Sequence, residues 1–327
     1  MSAGRSGKFY LGLDVGRTIR GALVGDDGGI LRQRRVVSEV SDPRVFIRQL
    51  VDTIDELRSS EEAGGRVAAA GIGWAGLVDQ RAQRIEVTPN LIDVSSFDLH
   101  EELQSSTGIP VIFDNDANAA AYGEWKCGAA RGIDDLFFIT LGTGIGAALV
   151  LGGQLQRGRR GFAGEFGHFK IDRRGLECAC GSNGCLETMA SGPNIVRRVR
   201  ERLFSDPSFS LSRLAQDMAG KLTNERVVQA AIEEDELARS VLEETGRILG
   251  SAVASIINLL NIEAVVLGGG VMAAGELILK PIREEAERGT IPPAFDGCRI
   301  VAARLGQDAG IIGAALLARD ALQPAAT

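Results

Sequence analysis

The chain has 327 residues, a length that suggests about two domains. Hydrophobic residues make up 45% and charged residues 24%, which excludes a disordered chain and a small domain held together by disulfides. The formal net charge of −7 argues against nonspecific binding to nucleic acid or to an anionic membrane surface. Two departures from average composition remain: 42 glycines and only two histidines.

The first predicted element is a strand over residues 9–13, followed by a polar turn and a second strand over 19–24. The same unit returns with strands over 136–140 and 147–151. The turn residues are Asp14, Gly16, Arg17 and Thr18 in the first unit, and Gly142, Thr143, Gly144 and Gly146 in the second. Glycine lets backbone N–H groups approach a phosphate, and a threonine hydroxyl adds a donor. Either turn alone is equally well explained as a plain hairpin, but the pair favours phosphate binding.

Asp14 lies where the first strand meets its turn. A carboxylate there is suited to hold Mg²⁺, directly or through water, beside the phosphates of a nucleotide. The alternative is that its oxygen accepts a hydrogen bond within an ordinary turn. We prefer the magnesium role because a Gly/Thr turn follows.

The remaining elements alternate along the chain, which predicts an α/β fold. Helices are predicted over 43–58, 117–126, 193–204, 223–231, 235–260, 275–288 and 309–322. Strands are predicted over 67–73, 84–87, 110–113 and 264–267, the last running into Gly268, Gly269 and Gly270. No linker rich in serine or proline separates two halves, so the sequence places the domain boundary near Asp114.

The run Asp114, Asn115 and Asp116 follows a predicted strand and precedes an alanine-rich helix. Both residue types are favoured helix N-caps, but the run offers more capping groups than one helix end can use. The carboxyl end of a strand is also where α/β sheets place their ligands. Asp116 is therefore the candidate general base.

A cluster of one histidine and three cysteines is the strongest motif in the chain. It consists of His168, Cys178, Cys180 and Cys185. One imidazole and three thiolates complete a closed tetrahedral zinc site, which predicts a structural metal and no open position for hydrolysis. A redox cysteine pair is the weaker alternative. Glu165 and Glu187 flank the cluster and suit hydrogen bonding to a polyol, although spacing alone favours solvated surface carboxylates.

The N-terminal residues contain no apolar region of the kind found in a secretory signal. The apolar stretches 136–151 and 262–274 are interrupted by glycines and are shorter than a membrane span. Because the cysteines do not form a disulfide framework, the sequence predicts a cytoplasmic protein that binds no membrane.

These motifs together resemble the ROK family of sugar kinases within the actin-like ATPase superfamily, and most closely its bacterial ATP-dependent glucokinases. The resemblance runs from Gly12 to Gly310 and is most specific between Gly164 and Glu187, where every cysteine and the histidine match. It implies two similar actin-like domains around a cleft. The smaller would comprise residues 1–114 and 308–327, and the larger 115–307 with a zinc-binding loop at 164–187.

The resemblance also implies roles for individual residues. Asp116 would take the proton from the sugar 6-hydroxyl as its oxygen attacks the γ-phosphate of ATP. The sugar would be held by Gly76, Asn90, Asn115, Asp116, Glu165, His168 and Glu187. The nucleotide would be held with Mg²⁺ by Gly12 and the two turns, and Gly268, Gly269 and Gly270 would pass beside the adenosine. Family members are often dimers or tetramers, so a homo-oligomer is expected, with a hexose and ATP as its small-molecule partners and no nucleic acid.

Departures from the family pattern keep alternatives open. Arg17 replaces a glycine, and its guanidinium either clamps a phosphate or crowds the turn. The residues after Asn90 and Leu91 also differ from the family pattern, which leaves another hexose or an N-acetylhexosamine as alternatives to glucose. Polyphosphate is an alternative donor. A sugar-responsive ROK transcriptional regulator is the rival class, and the eight residues before the first strand leave no room for a DNA-reading module.

Overall fold

The computed structural model describes residues 7–89, 91–206, 208–209, 212–217 and 222–323. In chain order the strands are β1 (Phe9–Val15), β2 (Thr18–Gly25), β3 (Ile30–Val37), β4 (Val67–Trp74), β5 (Leu77–Asp79), β6 (Arg84–Val87), β7 (Val111–Asn115), β8 (Leu136–Leu141), β9 (Ile145–Leu151), β10 (Gln154–Leu155), β11 (Ala264–Gly268) and β12 (Arg299–Ala302). The helices are α1 (Pro43–Arg58), α2 (Leu99–Thr107), α3 (Asp116–Cys127), α4 (Glu187–Ala190), α5 (Gly192–Ser205), α6 (Asn224–Ile232), α7 (Glu236–Leu260), α8 (Glu276–Gly289), α9 (Pro292–Asp296) and α10 (Ala309–Ala321).

The chain divides into two compact units. The first comprises Met1–Gly132, Gln154–Ala163 and Arg304–Thr327, and the second comprises Ile133–Gly153 and Gly164–Ala303. This division differs from the expected one, which ended the first domain at residue 114. Helix α3 lies in the first unit because it packs against α10, and residues 154–163 return to that unit.

Each unit contains a sheet that begins with an antiparallel hairpin. In the first unit the strand order is β3-β2-β1-β4-β7, with β1 antiparallel to β2 and parallel to β4. In the second unit β9, β8, β11 and β12 lie side by side in that order, with β8 antiparallel to β9 and parallel to β11. The strand–turn–strand unit predicted twice from the sequence is therefore present in both.

Helix α1 illustrates how the sequence determines a helix of the first unit. The Asp42 carboxylate accepts a hydrogen bond from the backbone N–H of Arg44 at 2.8 Å, and Pro43 occupies the first turn, where its missing N–H costs nothing. The side chains at helical spacing, among them Phe46, Leu50 and Ile54, are buried against the sheet. The helix has the predicted bounds.

Helix α10 approaches the first sheet so closely at two positions that only glycine fits there. A Cβ added at Gly12 in β1 would overlap the carbonyl oxygen of Ile311, and one at Gly71 in β4 would overlap that of Ala314. Gly12 is thus required for helix–sheet packing.

Helix α7 is the longest helix of the second unit and forms the centre of its core. The Asp235 side chain caps its start by accepting from Ala238 N at 3.0 Å, and Asn261 ends it in a left-handed conformation. Leu242, Leu249 and Val253 are fully buried within the main hydrophobic cluster of this unit.

Two arginines fasten residues 154–163 to the rest of the first unit. Arg157 pairs with Asp114 at 2.7 Å, and Arg160 pairs with Asp79 at 2.8 Å and with Glu86 at 2.9 Å.

No helix within the described residues is long and apolar enough to cross a membrane.

Candidate active site and metal centre

The first phosphate-binding candidate is the turn between β1 and β2. Ser38 holds it from outside, because its hydroxyl donates to Gly16 O at 2.5 Å and its N–H donates to Arg17 O at 3.1 Å. A Cβ added at Gly16 would meet nothing within 4 Å, and Arg17 is exposed. The surface of this turn is open to a ligand. Sequence reasoning did not identify Ser38, which lies beyond the hairpin.

Asp14 lies opposite Arg20 in the β1–β2 pairing, and its carboxylate forms an ion pair with the Arg20 guanidinium. Arg20 also donates to Gln307 O at 2.7 Å. Burial raises the pKa of the Asp14 carboxyl, and the Arg20 guanidinium opposes that rise. A carboxylate oxygen suits Mg²⁺, and any cation bound here shares Asp14 with Arg20. The hairpin register predicts this partner, because residues 14 and 20 flank the turn symmetrically.

The candidate base lies at the junction of β7 and α3. The Asn115 side chain caps α3 by accepting from Ala117 N at 2.9 Å and from Asn118 N at 3.2 Å. Its amide donates to Gly76 O at 3.0 Å. Asp116 begins the helix, is half-buried, and accepts from Ala117 N at 2.9 Å. The structure thus brings together Gly76, Asn115 and Asp116, while Asn90 lies outside the described residues.

Asp114 explains why three capping residues occur in a row. Its buried carboxylate accepts from the backbone N–H of Asn115 and from the Asn118 amide, both at 2.8 Å. The Arg157 guanidinium donates to its second oxygen at 2.7 Å. Asp114 therefore fixes the end of β7 and leaves capping to its neighbours. Arg157 was not foreseen, since it lies 43 residues away in sequence.

The second phosphate-binding candidate is the turn between β8 and β9. Gly142 N donates to Gly144 O at 2.9 Å, which closes the turn, and Thr143 is exposed. A Cβ added at Gly269 would overlap the backbone of Leu141, whereas one at Gly270 would meet nothing within 4 Å. The glycine run after β11 therefore lies directly against the start of this turn.

Three candidate sugar-binding groups of the second unit lie near one another. The His168 Nε2 atom is 3.9 Å from a Glu165 carboxylate oxygen. Burial raises the pKa of the Glu165 carboxyl, His168 lowers it in part, and the negative charge of Glu187 raises it again. Glu187 also accepts from Ile145 N at 2.9 Å. Hydrogen-bonding groups of this kind suit the hydroxyls of a polyol.

The predicted zinc ligands converge. One donor atom from each of His168, Cys178, Cys180 and Cys185 lies within 4.8 Å of all the others. The Nδ1 atom of His168 is 3.7 Å from Cys178 Sγ, and the Cys180 and Cys185 sulfurs are 3.6 Å apart. Two sulfurs bound tetrahedrally to one zinc are about 3.8 Å apart, since each Zn–S bond is about 2.3 Å. The four donors fit a closed zinc site.

A lysine ammonium group lies beside the four candidate zinc ligands. Lys170 Nζ lies 2.7 Å from Cys185 Sγ. Zinc bound by three thiolates and a neutral imidazole carries one net negative charge, and the ammonium opposes it. Sequence reasoning missed Lys170, although its position two residues after His168 in an extended segment was a usable signal.

Replacing Cys180 with Ser is expected to reduce bound zinc from near one per chain to near zero, because three ligands remain and a hydroxyl binds zinc weakly. Metal analysis of the purified protein measures this. Thermal unfolding with and without a chelator should show that zinc stabilises the native protein but not the variant. Cys127→Ser is the matched control, because Cys127 is a free cysteine outside the cluster. Metal-free protein of unchanged stability and activity would refute the structural role.

The comparisons with known proteins cover nearly the whole chain. It is 35% identical to the glucokinase of Streptomyces coelicolor over 95% of this chain and 97% of that protein. It is also similar to the crystal structure of a ROK family glucokinase from Streptomyces griseus in complex with glucose and AMPPNP. That match has 35% identity and a TM-score of 0.84, and covers 95% of this chain and 99% of that one.

A transcriptional regulator is a more distant relative. The xylose repressor of Bacillus subtilis is 28% identical over 95% of this chain and 77% of that protein. The ROK family model matches residues 10–321, and the chain belongs to the ROK family.

Proposed function

We propose that this protein transfers the γ-phosphoryl group of ATP to the 6-hydroxyl of a hexose, with glucose as the first candidate. The observation that carries the proposal is the half-buried Asp116 carboxylate at the start of α3, beside an asparagine whose amide is already fixed. Similarity to glucokinases over nearly the full chain supports the choice of sugar.

In the proposed reaction the sugar O6 attacks the γ-phosphorus and the bond to the bridging oxygen of ADP breaks. The hydroxyl proton passes to Asp116, which makes O6 a better nucleophile as the new bond forms. Asn115 and Gly76 would position the sugar beside the base, together with Asn90. Glu165, His168 and Glu187 would hold further hydroxyls, so the protein contributes mainly by orientation.

Two metal ions have different roles in this proposal. Zinc, held by the closed set of four donors, would stiffen the segment that carries His168 and precedes Glu187, without touching the reacting atoms. Mg²⁺ would arrive with ATP, neutralise phosphate charge, and be held near Asp14. We assign the reaction to the cytoplasm, because none of the five cysteines forms a disulfide and a reducing compartment keeps zinc-binding thiolates reduced.

A coupled assay of ADP release with ATP and Mg²⁺ tests the proposal. The panel is glucose, mannose, fructose, allose, N-acetylglucosamine and N-acetylmannosamine. It is this broad because the residues after Asn90 differ from the family pattern, so the sequence does not decide which sugar is the substrate. We expect glucose to have the highest kcat/KM. Protein carrying Asp116→Asn, purified identically, controls for contaminating kinases. No ADP release with any of these sugars, and no sugar phosphate formed when polyphosphate replaces ATP, would reject the kinase function.

A further inference from the structure

The segment Glu187 to Gly192 holds the second phosphate-binding turn at both of its ends. A Glu187 carboxylate oxygen accepts from Ile145 N at 2.9 Å, where the turn enters β9. Gly192 N donates to Gly142 O at 2.8 Å, where the turn leaves β8. Both bonds connect residues more than forty positions apart, so the conformation of the turn depends on where this segment lies.

The segment is itself well anchored. The Asn194 amide donates to Glu187 O and to the Ser191 hydroxyl, both at 2.9 Å. Ser191 N donates to Glu187 O at 3.2 Å. The backbone around Glu187 is therefore fixed, which sets the position from which its carboxylate reaches the turn.

The same carboxylate belongs to the candidate sugar-binding groups. Its negative charge raises the pKa of the Glu165 carboxyl, an oxygen of which lies 3.9 Å from His168 Nε2. A sugar that engages Glu187 therefore acts on a side chain that also supports Ile145 N–H in the phosphate turn. A sugar hydroxyl bound to the Glu187 carboxylate would hold it in the position that supports the turn, so a second ligand that needs the turn in that conformation binds with less loss of conformational entropy.

We propose that Glu187 couples the two substrates, so that sugar bound to its carboxylate stabilises the nucleotide-binding form of the turn and each ligand tightens binding of the other. This inference rests on the proposed function, since it takes Glu187 as a sugar ligand and the turn as a phosphate ligand. Linkage requires the two ligands to strengthen each other by the same factor.

Calorimetric titration of the wild-type protein tests the coupling directly. The dissociation constant of a non-hydrolysable ATP analogue with Mg²⁺ is measured without glucose and with saturating glucose, and the glucose constant is measured in the reciprocal way. We expect each ratio to be about fivefold or more, and the two ratios to agree. A ratio of one, with both ligands binding, overturns the coupling but leaves the kinase proposal intact. Failure of glucose to bind at all counts against the proposed function instead.

Two glycines of the same turn provide a matched pair of variants. A Cβ added at Gly144 would lie 2.5 Å from a Glu187 carboxylate oxygen, whereas one at Gly142 would meet nothing within 4 Å. The backbone of neither residue lies in the left-handed region. Gly144→Ala therefore displaces the Glu187 carboxylate from the turn side, and a flexible side chain can yield without unfolding the protein.

For Gly144→Ala we expect the coupling ratio to fall toward one and the glucose dissociation constant to rise, although the substitution is in the phosphate turn. Gly142→Ala should retain the wild-type ratio even if its nucleotide affinity changes. Coupling that persists in Gly144→Ala, or that is lost equally in both variants, would overturn the role of Glu187. Thermal unfolding of both variants establishes that folded proteins are compared, and the wild-type titration decides the coupling without any variant.

Discussion

Replacing Asp116 with Asn is expected to lower kcat for hexose phosphorylation by about 10²- to 10⁴-fold, the usual contribution of a general base. The change removes the basic carboxylate oxygen and its negative charge while keeping the size and shape of the side chain. An asparagine keeps a side-chain oxygen that can accept the hydrogen bond now made at 2.9 Å by Ala117 N, so the start of α3 should be preserved. Sugar binding should weaken far less than turnover, because Asn115 retains its cap and its bond to Gly76 O.

The measurements are kcat from the coupled assay and the sugar dissociation constant from calorimetry. Asp52→Asn is the matched control, because it makes the same change of charge on the exposed face of α1. We expect its kcat to match the wild type. Equal losses in kcat and in sugar affinity for Asp116→Asn would reassign Asp116 from proton acceptance to sugar binding.

The local parts of the fold could be predicted from the sequence. The predicted bounds of helix α1 agree with the structure because Asp42, Pro43 and the spacing of apolar residues all indicate the same helix. The edge strand β3 was missed because its centre consists of three arginines and a glutamine and none of its eight residues is buried, so no apolar period marks it. Strand β12 was missed because its residues, RIVA, do not alternate between polar and apolar, whereas those of β6, RIEV, do. The expected actin-like α/β fold is confirmed by the near full-length match to ROK proteins.

The candidate site likewise contains residues that could be predicted from local sequence and residues that could not. Residues within one motif, such as the four predicted zinc ligands, could be grouped from spacing, since a metal constrains short segments directly. The residues that hold the site residues in place could not be predicted from the sequence. Arg157 reaches Asp114 and Glu187 reaches Ile145 across more than forty residues, through packing of whole elements that no local pattern records.

The division of the chain into compact units differs from the expected boundary for a related reason. The sequence suggested one division near Asp114, whereas the chain passes between the units at 132/133, 153/154, 163/164 and 303/304. Short crossings of this kind carry no linker composition. Their positions depend on which segment is hydrogen-bonded to which unit. The buried Glu124 side chain bonds the segments next to two of these crossings, at 132/133 and 303/304.

Replacing Glu124 with Ala is expected to destabilise the first unit by about 3–5 kcal/mol, because it removes the side-chain acceptor of three backbone N–H groups at about 1–3 kcal/mol each. Glu124 is 0% exposed. Its carboxylate accepts from three backbone N–H groups: Ala129 at 2.7 Å, Arg304 at 3.0 Å and Leu305 at 2.6 Å. Alanine leaves all three donors unpaired and opens a cavity, so both losses act in the same direction.

Denaturant unfolding measures this change, with Glu61→Ala as a control on an exposed glutamate of the same unit that should shift stability by no more than about 0.5 kcal/mol. Glu124→Gln should fall between the two, because one amide oxygen can still accept while the amide nitrogen faces a donor. If Glu124→Ala cost no more than Glu61→Ala, the three N–H groups would have to find other acceptors. In that case the segments beside the crossings at 132/133 and 303/304 would not depend on α3, the helix whose first residue is Asp116.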